Sequence, residues 1–132
     1  MLNLRPVTET FAVAPQIAPE DVGELKALGF TRVIVNRPDG EEPGQPRHAA
    51  MKAAVEAAGL SWHEVPVSGP PPASAVAAMQ TLLETPNEGR TLAYCRSGTR
   101  SVTLWVLAQT ASGAMGRDEA LAAARAAGYA LG

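Results

Sequence analysis

Residues 91–105 read TLAYCRSGTRSVTLW, and they hold the chain's only cysteine, Cys95, between an apolar run and a loop of small residues and arginines. If the apolar run is a strand and a helix begins near Arg100, Cys95 lies at a helix N-terminus. The first turn of a helix presents unpaired N–H groups and about half a unit of positive charge, which favours an anion. A thiolate is such an anion, and a cysteine placed there beside an arginine is expected to ionise readily and act as a nucleophile. Gly98 lets the backbone approach a ligand closely, so the amides of Arg96, Ser97, Gly98 and Thr99 could cradle a tetrahedral oxyanion while Arg100 clamps it through a planar fork of donors. A lone cysteine is otherwise a small buried hydrophobe. The Arg, Ser, Gly and Thr neighbours offer little packing surface, which favours the nucleophile; a side chain sealed inside the core, or a thiol that titrates as a free one, would overturn it.

The other candidates are weaker. Ser101 is expected either to donate a hydrogen bond to the Cys95 sulfur or to cap the helix. Arg96 points to solvent or to an anionic substrate. Arg37, in NRPDG, follows an apolar strand and either lines the same edge or forms a turn-stabilising ion pair with Asp39 or Glu41; Asn36 and Asp39 are turn formers. His48 and His63 have no metal-ligand spacing and there is no second cysteine, so no metal is expected. No glycine-rich dinucleotide fingerprint occurs, so no organic cofactor is expected. Trp62 and Trp105 read as packing residues.

The elements that must place the cysteine follow from periodicity and punctuation. FAVAPQI (11–17) reads as a strand, PEDVGELKALGF as a helix opened by Pro19 and stopped at Gly29, and TRVIV (31–35) as a strand covered on both faces. Residues 36–46 are turn-rich and leave the C-terminal end of that strand, the edge where open parallel sheets bind ligands. A helix over 47–60, a strand over 61–67, a helix over 74–85, a strand over 91–95 and helices over 101–111 and 117–128 complete a β-α-β-α-β-α-β-loop-α-α order. That alternation predicts an α/β fold, a parallel sheet with helices on both faces.

With 132 residues, 46% hydrophobic and 18% charged, the chain reads as one globular domain over 1–132. A net charge of −2 gives no general affinity for nucleic acid or anionic membrane. The single cysteine and the absence of a signal-like or membrane-spanning apolar run lead to an expected cytoplasmic location.

The run LAYCRSGTRS with LWVLAQ behind it, together with PQIAPEDVGELKALGFTRVIVNRPDGEEPGQP, resembles the bacterial family called beta-lactamase hydrolase-like protein, phosphatase-like domain, from about Ala14 to Leu131. The resemblance implies a dual-specificity-phosphatase-like fold with a cysteine loop at the C-terminal edge of the sheet. Some relatives are labelled phosphatase-like and others sulfur transferase, and some are fused to a domain resembling persulfide dioxygenases, which implies a functional link to such a protein. Cysteine phosphatases resemble this site in thiolate, cradle and arginine, but their pattern has one more residue between Cys and Arg, so that Ser101 stands where their arginine would be. They also carry a histidine before the nucleophile, where Tyr94 stands, and an aspartate general acid some way upstream, where VPVSGPPP has no carboxylate; Asp39, Glu41 or Glu42 could reach the pocket instead from the neighbouring strand end. Residues 95–100 are similar to the Cys-Arg-x-Gly-x-Arg loop of rhodanese-type sulfur transferases at every named position. The expected function is therefore sulfur transfer through a Cys95 persulfide, with thiosulfate or a persulfide as donor. The alternatives are a phosphomonoesterase working through phosphocysteine and an anion-binding module without turnover. Cys95, Arg100 and Ser101 are the expected catalytic residues, and Arg96, Ser97, Gly98, Thr99 and Arg37 the expected anion-binding ones.

Overall fold

The computed structural model describes residues 2–131. Its elements are β1 (Arg5–Pro6), β2 (Phe11–Ala14), a 3-10 turn (Pro19–Asp21) leading into α1 (Val22–Ala27), β3 (Phe30–Val35), α2 (His48–Ala57), β4 (Ser61–Glu64), α3 (Ala73–Glu84), β5 (Arg90–Tyr94), α4 (Thr99–Ser112) and α5 (Arg117–Ala126). The strands form one sheet in the order β1-β2-β5-β3-β4. All neighbouring pairs are parallel except β1 with β2.

Strand alternation divides the core into two halves. Phe11, Val13, Ile34 and Ala93 face one side and pack with Met79, Val102, Trp105, Ala120 and Ala124 of α3, α4 and α5. Ala12, Ala14, Val33, Val35, Leu92 and Tyr94 face the other side, with Val22 and Leu25 of α1 and Met51 and Val55 of α2. The expected α/β arrangement, helices on both faces of a parallel sheet, is the observed one, as alternation within central strands buried on both sides requires.

The differences lie at element ends. The strand expected over 11–17 stops at Ala14, because Pro15 has no N–H to give the ladder. The strand expected over 61–67 stops at Glu64, although the amides of Val65 and Val67 still reach the carbonyls of Val35 and Asn36 across Pro66. The two-residue β1 is an addition: a Pro-containing pair too short for any period, joined antiparallel to β2.

β5 lies centrally between β2 and β3, and its C-terminal end delivers Cys95 to the middle of one sheet edge. The loop after β3, residues 36–47, leaves the same edge one strand away.

Candidate active site

The polypeptide turns from β5 into α4 within four residues, 95–98. Gly98, at φ +94° and ψ −14°, is the N-cap of α4, a left-handed conformation that a residue with a Cβ adopts only with strain. The same reversal points the Gly98 amide back at Cys95, and its N–H donates to Sγ at 3.1 Å. Among the described residues nothing accepts from the amides of Arg96 and Ser97. One N–H thus reaches the sulfur at the N-terminus of α4, and two further amides of the same loop are without an acceptor.

Cys95 has no exposed surface, yet it belongs to neither apolar cluster. Two polar groups reach it: the Gly98 amide, and the Arg100 guanidinium, whose pKa is raised chiefly by a hydrogen bond to Glu41, against desolvation and with help from the sulfur. The sulfur thus has two donors suited to an anion but no surface open to solvent, the outcome that weighs against a nucleophile, and a substrate reaches it only if the loop moves.

Arg100 is held in place. Its Nη1 and Nη2 donate to the two oxygens of Glu41 at 2.8 and 2.9 Å, and Nη1 also donates to the Val67 carbonyl at 2.7 Å. This two-pronged geometry fixes the plane of the fork. The carboxyl group of Glu41 is pulled down to about 2, first by its hydrogen bond from Arg100 and then by Arg37, against a desolvation effect of opposite sign. Glu41 is thus a fixed negative charge at neutral pH.

Arg37 acts one step further back. Nε donates to Glu41 at 2.7 Å, Nη1 to Gln16 Oε1 at 3.0 Å, and Nη2 to Glu42. Every nitrogen of this buried guanidinium is engaged, so Arg37 positions Glu41 and takes no anion itself in this arrangement. The ion-pair expectation for Arg37 is met and the anion-lining one corrected, because the acidic pair Glu41-Glu42 consumes its donors. Arg96 lies exposed and pairs with Glu42 at 3.1 Å. Ser97 Oγ donates to Thr99 Oγ1 at 3.1 Å and accepts from the Thr99 amide at 3.4 Å, folding the small side chains onto the loop itself.

Ser101 is fully buried and its hydroxyl has no partner among the described residues. Neither expectation for it is realised: it makes no hydrogen bond to Sγ, and α4 begins two residues earlier without any side-chain cap. Asn36 is also buried; Nδ2 donates to the Val65 carbonyl at 3.0 Å while Oδ1 has no partner. Asp39 accepts from the His48 amide at 3.1 Å, a structural contact at the start of α2. His48 leads α2 and His63 lies in β4, whose burial lowers its pKa, with Arg32 adding to that effect.

One contact and one contributor escape sequence reasoning. Glu41 is expected near the pocket from its place in the loop leaving the same sheet edge, but its pairing with Arg100, 59 positions away, is encoded by no local pattern. Tyr129, beyond α5, donates its hydroxyl to the Ser97 carbonyl at 3.1 Å and stands against the open side of Gly98, where a Cβ would come within 2.2 Å of the phenolic oxygen.

The chain is similar to known proteins in sequence and in fold. The chain is 40% identical over 115 residues to the beta-lactamase hydrolase-like protein of Agrobacterium fabrum, covering 86% of this chain but only 26% of that longer protein. Among solved structures it is similar to a Neisseria meningitidis protein provisionally described as a phosphatase, with 36% identity, a TM-score of 0.81, and 94% of this chain and 87% of that one covered. The fold is shared with kinase-associated phosphatase, at 18% identity and a TM-score of 0.71 over 95% of this chain and 82% of that one. Residues 3–112 match the family described as beta-lactamase hydrolase-like protein, phosphatase-like domain, and the chain belongs to that family.

Proposed function

We propose that the chain is a cysteine-dependent hydrolase of phosphate monoesters whose leaving group departs without proton donation. The observation that carries this reading is the sulfur of Cys95 under a Gly98 N–H, with an Arg100 fork fixed alongside by Glu41. Family membership and the similarity to the Neisseria protein support phosphoryl over other anionic substrates.

In the first step the Cys95 thiolate attacks phosphorus, the S–P bond forms, and the bond to the leaving oxygen breaks with its electron pair on that oxygen. Water then attacks phosphorus, the S–P bond breaks, the thiolate is regenerated, and the water's proton passes to solvent. Charge in the transition state is spread over the equatorial oxygens; the loop amides can donate to them directly, and Arg100 does so by exchanging its bonds to Glu41 and Val67 for bonds to the substrate. Glu41, ionised down to about pH 2, cannot protonate the leaving group while it holds Arg100. The 65–73 segment contains no carboxylate. Aryl phosphates, whose leaving oxygen needs no proton, are therefore the favoured class; alkyl phosphates should be slower by about 10²- to 10⁴-fold, the usual worth of a general acid.

A second reading is favoured by a specific feature: only four residues separate Cys95 from Arg100, in a Cys-Arg-x-Gly-x-Arg spacing. In that reading the thiolate attacks the outer sulfur of thiosulfate, the S–S bond breaks, sulfite leaves with the electron pair, and Cys95 carries a persulfide whose outer sulfur passes to a thiolate or cyanide. Sulfite, too, leaves without a proton.

A paired assay separates the readings. An aryl phosphate, and separately thiosulfate with cyanide, are offered to wild-type protein and to Cys95→Ser. Turnover of the phosphate alone supports the proposal; turnover of thiosulfate alone replaces it with sulfur transfer; turnover of neither leaves an anion-binding module.

A further inference from the structure

The N-terminal ends of the strands, opposite the Cys95 edge, carry a second polar opening. Phe11, Thr91 and Arg32 are neighbours across β2, β5 and β3 in register. They point to the side covered by α3, α4 and α5, where Phe11 stacks on Trp105 with ring centroids 5.8 Å apart. Between them and the end of α3 is a cleft of ≈ 270 Å³. That lies near the lower end of the range for small-ligand sites, about 300–1,000 Å³.

Arg32 is the unusual member. It is 6% exposed, and among the described residues it has no carboxylate partner. Nε donates to Thr91 Oγ1 at 2.9 Å and Nη1 to the Thr85 carbonyl at 3.1 Å, just beyond α3. Among the described residues Nη2 has no hydrogen bond, and it is not among the atoms sealed from solvent without a partner; Arg32 lines the cleft. Burial lowers the pKa of this guanidinium, as expected of a cation without a counter-ion. Thr91 Oγ1 accepts from both Arg32 and Asn87 Nδ2 (3.4 Å), which leaves its own proton free to be given. Tying the end of α3 to the sheet accounts for Nε and Nη1 of Arg32. It does not account for the open Nη2 or the spare hydroxyl proton.

We propose that this cleft binds a small monocarboxylate, its oxygens taken by Arg32 and Thr91 and its apolar body set against Phe11 and Trp105. One cation with donors alongside suits a single negative charge. The exposed Glu84 in the lining and the negative end of the α3 dipole disfavour a dianion such as phosphate. The site is separate from the cysteine loop: α4 carries Arg100 at one end, while Trp105 and Gln109 further along line the cleft.

Titration of the 15N-labelled full chain with benzoate, benzamide and inorganic phosphate tests the proposal. Benzoate should shift the amides of Thr10, Asn87 and Thr91 saturably below about 20 mM, at least tenfold more tightly than benzamide, since only the acid can pair with the guanidinium. Phosphate should shift the amides of residues 96–100 instead. Arg32→Met should weaken benzoate at least tenfold. Absence of saturable cleft shifts with benzoate, equal affinity for benzamide, phosphate shifts in the cleft matching those of benzoate, or undiminished benzoate binding by the variant would each overturn the assignment. Should Arg32→Met not fold, the comparison of acid with amide in the wild type decides alone.

Discussion

At the scale of single residues, each group near Cys95 has a separable task. Arg100→Lys keeps the charge but loses the planar fork, and is expected to lower kcat by about 10²- to 10³-fold, the typical cost of an oxyanion donor, read in steady-state kinetics with the active substrate. Ser101→Ala removes a buried hydroxyl that has no partner at rest, so thermal unfolding should show unchanged or higher stability, by up to about 1 kcal/mol. If the hydroxyl turns to the sulfur as Cys95 is released from its adduct, the same variant lowers kcat. A stability gain together with a rate loss separates that role from packing. Cys95, Arg100 and the cradle were legible because their residue types are costly to explain as packing. Arg37 was half legible: its ion pair was expected from NRPDG, but its effect on Arg100 through Glu41 depends on a contact that no local pattern encodes.

Among the elements, the turn from β5 to α4 depends on a glycine with a neighbour against it. Gly98→Ala meets both the left-handed backbone penalty, about 1–2 kcal/mol, and the Tyr129 hydroxyl 2.2 Å from the new Cβ. It should destabilise the protein in denaturant unfolding and reduce turnover, and Tyr129→Ala in the same chain should relieve only the steric part. Tyr129→Phe alone removes one hydrogen bond to the Ser97 carbonyl, about 0.5–1.5 kcal/mol, and is expected to lower kcat more than it raises KM, because the loop becomes less ordered. Strands β2, β3 and β5 and all the main helices were readable from apolar period and from Gly or Pro stops. Their ends were less so where Pro15 and Pro66 interrupt the ladder without reversing the chain, and β1 has no period to read. Tyr129 escaped notice because its hydrogen-bond partner lies 32 positions away.

For the molecule as a whole, the parallel sheet brings two loops distant in sequence to one edge, and an electrostatic bond joins them. The Arg100 and Arg37 guanidiniums hold the Glu41 carboxyl down to about 2 in the folded protein, below its ordinary value of 4.5, so its contribution to stability is complete above about 4.5 and fades as the pH falls through about 2. The stability difference between wild type and Glu41→Gln, measured by urea unfolding, should be flat from neutral pH to about 5 and shrink below it; a difference that grows on acidification would contradict the pairing. The chain spans about a quarter of the length of the Agrobacterium relative. The fold class was open to inference because alternation, turn chemistry and helix period all agreed. The chemistry was less so, since the same cradle suits phosphate and sulfane sulfur. The most direct measurement is intact-protein mass after rapid acid quench of wild type and Cys95→Ser mixed with an aryl phosphate. The account predicts a phosphoryl adduct mapping to Cys95 and no turnover in the variant. Phenolate released at equal rates by both proteins, with the cysteine unmodified, would contradict it.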